Sequence, residues 1–310
     1  MKKIAIIGAG ISGLFFANLI EKNKSYSYKI FERKNSIDIN DGYGIQLSVN
    51  SIKLLNNIGF NKFDNNQLYF PKKVNFLNAK DSKKICDIDL SKFNNENNHY
   101  TTLKRSNLIE FLLNGISKDK LILNYELNDI EQGDQSSLLS SDNKTEEFDY
   151  LVAADGVYSK TKQILFKKEG LPNYFNTIAL RGNIKDFNNF DISLYLGSNF
   201  HFVIYPINQN KEFNFIAIMR KEFIQKKTIN IDLLNDNTFK KNLLNEISSK
   251  SNLNLVERVE KTKCFPIFVS KKFQKPKSNN IFFNWRRILF ISTFICSGGI
   301  AINRICKRTF

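Results

Sequence analysis

At the start of the chain, two short apolar runs flank a longer segment whose apolar residues recur with helical period. The first run is Ile4–Ile7, the periodic segment extends to Leu19, and the second run is Tyr28–Phe31. Short apolar runs bounded by turn residues predict buried strands, whereas the helical period predicts a helix. The pattern therefore predicts a strand–helix–strand unit.

Three glycines and one acid lie at the turns of this unit. Gly8, Gly10 and Gly13 follow the first strand, and Glu32 ends the second. In a dinucleotide-binding turn, such glycines permit a tight turn, the approach of a pyrophosphate and close helix packing, and an acid about 20 residues later accepts hydrogen bonds from ribose. The helix N-terminus also offers free N–H groups to the phosphates. We therefore expect a dinucleotide site, with a glycine-rich turn that binds nothing as the alternative.

Alternating apolar and polar positions farther along the chain predict a second sheet. Val74–Leu90 alternates in this way, as do four segments between Thr177 and Met219 that short turns separate. Such spacing is typical of an antiparallel meander. The polar stretch Gly133–Glu147 is predicted to be a linker-like loop.

Three further motifs lie between these regions. Gly42–Asn50 is a short extended piece with glycines at its start, Arg105 leads an apolar-periodic segment, and the buried-type strand Tyr150–Ala154 runs into Asp155 and Gly156. Together with the glycine fingerprint, these motifs resemble the FAD-dependent monooxygenases that hydroxylate aromatic rings. That family includes the hydroxylases of ubiquinone biosynthesis and those acting on salicylate or hydroxybenzoate.

The resemblance implies an α/β fold in which a Rossmann-like FAD/NAD(P)-binding domain is interleaved with a substrate domain on a mostly antiparallel β-sheet. In the family, the arginine contacts the ribityl–phosphate region of FAD, and the aspartate contacts FAD and helps to place the nicotinamide donor. The FAD-binding residues that it implies are Gly8, Gly10, Ser12, Gly13, Glu32, Arg33, Gln46, Arg105, Asp155 and Gly156. One departure is Lys162, which stands where the family has arginine and keeps the charge without the planar fork.

The resemblance also implies a reaction. FAD would be reduced by NADH or NADPH and would react with O2 to hydroxylate a small aromatic or quinone-precursor substrate, while the protein excludes water. Because the chain has no second glycine fingerprint, the nicotinamide donor is expected to bind transiently. No residue stands out as a catalytic acid or base. Arg181, His201 and Tyr205 are candidates to contact substrate, and packing within the sheet is the alternative for each.

Two rival classes share part of this pattern. A NAD-dependent dehydrogenase would have the fingerprint but would not account for Asp155 and Gly156 or for the segment Gly44–Asn50. A catalytically impaired FAD-binding remnant would have the fingerprint and these two other motifs. The expected division of the chain is a monooxygenase-like region over 1–283, with FAD-binding parts at about 1–70, 100–170 and 270–283, substrate-sheet parts at about 71–99 and 171–269, and an aberrant tail at 284–310.

The tail departs from the family where a third motif is expected, namely a strand ending in Gly-Asp, a proline turn and a helix starting near Gln-Gly. Residues 284–310 contain Trp285, which is the only tryptophan, five Lys or Arg and no acid. One permitted choice of synonymous codons, read one base later, encodes IGDAFYLFPPSFAQGASQSIESAKEL, which resembles that motif throughout. We therefore expect out-of-frame translation from about Asn284, with a genuine hydrophobic tail as the alternative.

The composition of the chain argues against nucleic-acid-binding, metal-binding and membrane-spanning proteins. The net charge is +16, but the lysines are spread along the chain, so nucleic-acid binding is not expected. Four cysteines without CxxC spacing and two histidines predict no metal site and reduced thiols in a cytoplasmic protein. No apolar stretch is long enough to cross a bilayer, although peripheral membrane contact stays open. The oligomeric state cannot be read from these features.

The frame-shift hypothesis makes a direct prediction about the gene. Reading the DNA across the Phe283 codon should reveal the Gly-Asp, proline and Gln-Gly motif in the frame one base later. Finding that motif in no frame would refute the hypothesis and leave the tail as a genuine segment.

Overall fold

The computed structural model describes residues 1–23, 25–37, 39, 43–133, 137–141, 144–167, 171–222, 231–269 and 276–283. Its helices are α1 (Ile11–Glu21), α2 (Val49–Asn56), α3 (Arg105–Asn114), α4 (Lys160–Phe166), α5 (Ile231–Asn235), α6 (Asn237–Ser248) and α7 (Leu255–Arg258). Its strands are β1 (Lys2–Ile7), β2 (Tyr26–Phe31), β3 (Gly44–Leu47), β4 (Leu68–Tyr69), β5 (Lys73–Asn78), β6 (Lys84–Asp89), β7 (Thr101–Lys104), β8 (Leu121–Ile122), β9 (Asp129–Gln132), β10 (Ser137–Ser141), β11 (Lys144–Phe148), β12 (Tyr150–Ala153), β13 (Asn173–Ile184), β14 (Ile192–Leu196), β15 (Phe200–Pro206), β16 (Phe213–Arg220), β17 (Val259–Val269) and β18 (Ile281–Phe283).

The predicted strand–helix–strand unit forms the centre of a parallel sheet. Five strands lie in the order β18-β12-β1-β2-β8, and every neighbouring pair is parallel. Alternate residues of β1 pack into two different clusters, Ile4 and Ile6 with α1 and α3, and Ala5 and Ile7 with the sheet β11-β10-β9. Burial on both faces explains why β1 is an uninterrupted apolar run.

The stretch predicted as a polar loop, Gly133–Glu147, is instead largely strand. Within its described part, β10 and β11 pair antiparallel, and β10 also pairs with β9. Leu139 and Phe148 are buried in the cluster that covers the second face of the parallel sheet. These strands contain few apolar residues, so their overall composition is polar although Leu139 and Phe148 are buried. The loop prediction was therefore wrong.

The second sheet has seven strands, in the order β17-β13-β16-β15-β14-β5-β6. Strands β13 to β16 pair antiparallel as predicted, but they do not follow one another in sequence order, because β16 lies between β13 and β15. Strand β14 pairs in parallel with β5. Helices α5, α6 and α7 cover one face through a buried cluster that includes Phe202, Phe215 and Ile247. We call the opposite face of this sheet the open face. Among the residues that the structure describes, no helix is both long and apolar enough to cross a membrane.

A small sheet, β3-β7-β4, joins the two large sheets. The N–H of Gly44 donates to Asn214 Oδ1 of β16 at 2.7 Å, and Thr102 Oγ1 donates to the carbonyl of Pro206. A Cβ on Gly44 would come within 2.8 Å of Tyr205 and closer still to Ile207 and Asn214. Glycine is therefore required here, because the β3 backbone packs directly on the seven-stranded sheet.

This joint predicts the effect of replacing Asn214, whose side chain is 1% exposed. Asn214→Leu should lower the free energy of unfolding by about 1–3 kcal/mol, because the N–H of Gly44 loses its acceptor in a buried place. Urea denaturation measures the change. Asn188→Ala, at an exposed position of the same domain, should stay within about 0.5 kcal/mol, and equal effects of the two variants would contradict the assigned joint.

Candidate functional site: a glycine turn and two strand ends

Three sequence-distant motifs meet at the carboxyl edge of the parallel sheet. Gly8 follows β1, Glu32 follows β2, and Asp155 lies just after β12. The register aligns Ile7 with both Phe31 and Ala153, so the three motifs leave the sheet at the same level. In open α/β sheets, ligands bind outside the carboxyl ends of the strands, and this edge is therefore the candidate site.

The glycine turn contacts both neighbouring strands through its backbone. Gly8 has a φ of 102°, which favours glycine, and a Cβ there would lie 2.7 Å from the carbonyl oxygen of Ala154. A Cβ on Gly13 would lie 1.9 Å from the carbonyl oxygen of Gly8. These two glycines are thus required by packing inside the protein.

Gly10 has a different environment. It caps the N-terminus of α1 in extended conformation without a side-chain cap, and a Cβ there would meet nothing within 4 Å. An open space therefore lies in front of the first N–H groups of α1. Such a space, lined by backbone donors and the positive end of a helix dipole, suits a phosphate group.

The carboxylate of Glu32 lies against this turn. Its Oε2 accepts a hydrogen bond from the N–H of Ala9 at 2.9 Å, and its Oε1 accepts one from the N–H of Lys34 at 3.1 Å. Ser12 is buried in the first turn of α1, whereas Arg33 is exposed. Glu32 is thereby oriented next to the open space in front of Gly10.

The Asp155–Gly156 turn forms the other side of the site. Asp155 Oδ2 accepts hydrogen bonds from the N–H and the Oγ1 of Thr161, both at 2.9 Å, at the start of α4. Gly156 has a φ of 76°, and a Cβ there would meet nothing within 4 Å. Ser159 caps α4 by accepting from the N–H of Lys162. The lysine at the family's arginine position is buried, with 6% exposure.

The remaining predicted residues, Gln46 and Arg105, lie at the small joining sheet. Gln46 is buried on β3, where its Oε1 accepts a hydrogen bond from Tyr100 Oη at 2.8 Å. Arg105 begins α3, and its backbone N–H donates to the carbonyl of Tyr43 at 2.7 Å. The structure thus brings the glycine turn, Glu32 and Asp155 together, and places Gln46 and Arg105 in the joint between the sheets.

The three substrate-contact candidates lie on the open face. Cross-strand pairs align Ala179 with Ile218 and His201, and Arg181 belongs to the adjacent row. Burial lowers the pKa of His201, so its imidazole is neutral at pH 7. Tyr205 is 3% exposed within an apolar cluster, which favours the packing interpretation for this residue.

Sequence reasoning missed a group of side chains at one edge of the open face. The rings of Tyr43 and Phe265 meet edge to face at 6.3 Å, and Lys263 Nζ lies 5.6 Å from the centroid of the Tyr43 ring. Lys263 also pairs with Arg181 across β17 and β13. The alternation of Lys263 and Phe265 along one strand was the available signal, but only the register brings them to Tyr43.

Comparison with known proteins gives relatives in sequence. No protein-family model matches the chain. It is 25% identical over 173 residues to the FAD-dependent monooxygenase dpasE of Apiospora sacchari, covering 55% of this chain and 36% of the relative. It is also 25% identical over 182 residues to 6-hydroxynicotinate 3-monooxygenase of Pseudomonas fluorescens, covering 58% of this chain and 46% of that enzyme. The matched region thus spans less than half the length of these relatives.

Solved structures extend the similarity to most of the chain. A salicylate hydroxylase in complex with its substrate superposes with a TM-score of 0.72 at 16% identity, over 91% of this chain and 72% of the other. 2,6-Dihydroxypyridine-3-hydroxylase from Arthrobacter nicotinovorans also superposes with a TM-score of 0.72, at 14% identity over 91% and 76%. The chain therefore has the α/β fold of these hydroxylases, which confirms the predicted fold class and the resemblance to FAD-dependent aromatic monooxygenases.

The two kinds of glycine in the turn predict opposite effects on stability. Gly13→Ala should lower the free energy of unfolding by about 1–3 kcal/mol, because the added methyl group overlaps the carbonyl of Gly8. Gly10→Ala should change it by less than about 1 kcal/mol, because its Cβ enters open space. Thermal and urea denaturation of both variants provide the measurement, and a Gly10 variant as unstable as the Gly13 variant would refute this assignment.

Proposed function

We propose that the protein is an FAD-dependent monooxygenase that uses NADH or NADPH and O2 to hydroxylate a small aromatic or quinone-precursor substrate. The observation that carries this proposal is the convergence of the glycine turn, Glu32 and the Asp155–Gly156 turn at one edge of the parallel sheet. The monooxygenases to which the chain is similar in sequence and fold support it.

The residues of this edge fit an FAD molecule. The open space at Gly10 and the N-terminus of α1 would hold the pyrophosphate, and Glu32 would accept hydrogen bonds from the ribose of the adenosine half. Asp155 and Gly156 would contact the flavin half of FAD. Arg105 would contact the ribityl–phosphate region that connects the two halves. Ser12, Arg33 and Gln46 complete the proposed set. Bound FAD would supply hydride acceptance and oxygen activation, which no side chain provides.

The open face of the seven-stranded sheet would cover the ring of the substrate. Its central rows contain Val203, Ile216 and Ile218, together with the neutral imidazole of His201 and the guanidinium group of Arg181 in the row of Val203 and Ile216. An apolar surface with few polar groups suits an aromatic compound and excludes water from a reactive flavin. We therefore assign about 1–70, 100–170 and 270–283 to FAD binding and about 71–99 and 171–269 to the substrate domain. We further propose a cytoplasmic location.

One observation favours a catalytically impaired remnant as a second candidate. Strand β18 is parallel to β12 and ends at Phe283, so the chain leaves it at the same edge as the proposed FAD site. The aberrant tail that the sequence predicts begins at the next residue, outside the described part of the structure. If that tail is out of frame, the chain lacks the motif that follows this strand in the family.

Flavin content separates the two candidates. A gene with the frame restored after the Phe283 codon should yield a yellow protein with about one FAD per chain and substrate-stimulated NAD(P)H oxidation. The chain as sequenced should bind FAD at least about tenfold more weakly, because it loses contacts to the ribityl chain that are worth more than about 1.4 kcal/mol.

Gly10→Ala in the frame-restored protein is the matched control for the site itself. It should retain the thermal stability of its parent and bind FAD about tenfold more weakly, because the methyl group occupies the space of the pyrophosphate. Absence of FAD binding from both parent proteins would overturn the proposed function. Equal FAD binding and turnover by both would refute the remnant.

A further inference from the structure

A pair of like charges stands at the edge of the open face, beside the small joining sheet. Arg181 of β13 and Lys263 of β17 are direct partners in an antiparallel pair. Side chains so paired share one face of a sheet with Cβ atoms about 5 Å apart, and like charges in this position destabilise the sheet. The two positive charges therefore stand side by side, where an anion can interact with both.

A β-bulge adds a third cation. The register changes from Arg181–Lys263 to Asn183–Glu260, so Lys261 and Thr262 both lie opposite Gly182. Lys261 has a φ of 52°, an unfavourable conformation for lysine, and a Cβ on Gly182 would come within 2.7 Å of the Glu260 carbonyl. Bulges re-aim side chains and are frequent beside functional sites.

Lys261 is exposed on β17, and its charge acts on a neighbouring carboxylate. Burial alone would raise the pKa of Glu212, but hydrogen bonds from Lys104 and Asn208 and the charges of Lys104 and Lys261 lower it. Lys104 forms an ion pair with Glu212 at 2.7 Å. Beside the ion pair of Lys104 and Glu212, Lys261 thus joins Arg181 and Lys263 at neighbouring positions of β13 and β17.

Aromatic rings complete this group. Tyr43 and Phe265 meet edge to face, and the ammonium group of Lys263 lies over the Tyr43 ring, where a cation is favourable. Tyr43 is nearly buried, whereas Phe265 is 40% exposed. We call Tyr43, Arg181, Lys261, Lys263 and Phe265 the rim cluster, because it combines a firmly held ring, an exposed ring and three cations at the surface.

The backbone links the rim cluster to Arg105, one of the proposed FAD contacts. The carbonyl of Tyr43 accepts from the N–H of Arg105, and the following residue, Gly44, is held by Asn214 of the seven-stranded sheet. Both Lys263 and Phe265 remain exposed. A ligand bound here would therefore lie at the edge of the site and could leave it without disturbing the core.

We propose that the rim cluster is the binding site for the pyrophosphate and one base of the nicotinamide dinucleotide, an assignment that rests on the proposed function. Three cations match the two charges of a pyrophosphate better than the single charge of an aromatic carboxylate. The exposed ring offers a stacking surface for a base. The exposure suits a donor that binds and leaves in each cycle, and the chain has no second glycine fingerprint to bind it elsewhere.

Titration calorimetry with NAD⁺ and NADP⁺ tests this proposal on the full chain. These oxidised forms carry the same pyrophosphate but do not reduce an oxidised flavin. Lys263→Met should weaken binding about tenfold, as expected for loss of a charge-assisted contact, and Phe265→Ala should weaken it several-fold. Binding to the parent should also fall with rising salt, and less steeply in Lys263→Met. Inorganic pyrophosphate should compete.

Lys92→Met is the matched control, because it removes an exposed lysine that follows β6, at the opposite edge of the same sheet. It should bind both dinucleotides like the parent. Thermal denaturation checks that every variant is folded. If the double variant Arg181→Met, Lys263→Met binds them as tightly as the control, the rim cluster is not the site.

Two further arms identify where the dinucleotide binds. Excess FAD should leave NADP⁺ binding intact; if FAD abolishes it and Lys263→Met has no effect, the dinucleotide occupies the glycine turn and the proposal is overturned. If Lys263→Met lowers the affinity for salicylate but not for NADP⁺, the rim cluster is a substrate subsite and the proposal is overturned. If neither the chain as sequenced nor the frame-restored protein binds FAD, but NADP⁺ still binds in a way that depends on Lys263, the rim site is supported and the proposed function is refuted.

Discussion

Close backbone contact between the glycine turn and the strands beside it holds the candidate site together. Gly13 brings α1 against the turn, and Gly8 brings the turn against Ala154, with no room for a Cβ at either contact. Because β2 and β12 are in register with β1, Glu32 and Asp155 reach the same edge. A local steric requirement thus assembles a site from three distant parts of the chain.

The second large sheet depends on a similar contact. Its strands come from two separate parts of the chain, β5–β6 and β13–β17, and the small joining sheet connects them to the parallel sheet. At Gly44 the backbone of β3 packs against β16 and is held by a buried amide. That contact fixes how closely the joining sheet approaches the seven-stranded sheet, because a Cβ on Gly44 would overlap the side chains of Tyr205, Ile207 and Asn214.

The cluster of positive charges at the edge of the open face results from strand pairing and not from the basic composition of the chain. The chain is basic throughout, and dispersed lysines predict little about partners. The β17 register and its bulge gather Lys261 and Lys263 with Arg181 at the edge of the open face, where Tyr43 lies nearby. Apart from Arg181, none of these positions stands out in the sequence. Their chemistry arises because pairing across strands brings separate parts of the chain within contact.

Sequence alone was enough to predict the glycine turn, the strand–helix–strand unit, the acid after the second strand and the Asp155–Gly156 turn. These features follow local rules, since steric limits on φ and close backbone approach act over a few residues. It did not determine that Ser137–Ser141 and Lys144–Phe148 are strands, because their buried side depends on the parallel sheet beneath them. It also did not determine the parallel pairing of β14 with β5 or the rim cluster. These strands, this pairing and this cluster depend on tertiary packing, because register and contact between sheets are set by residues far apart in the chain.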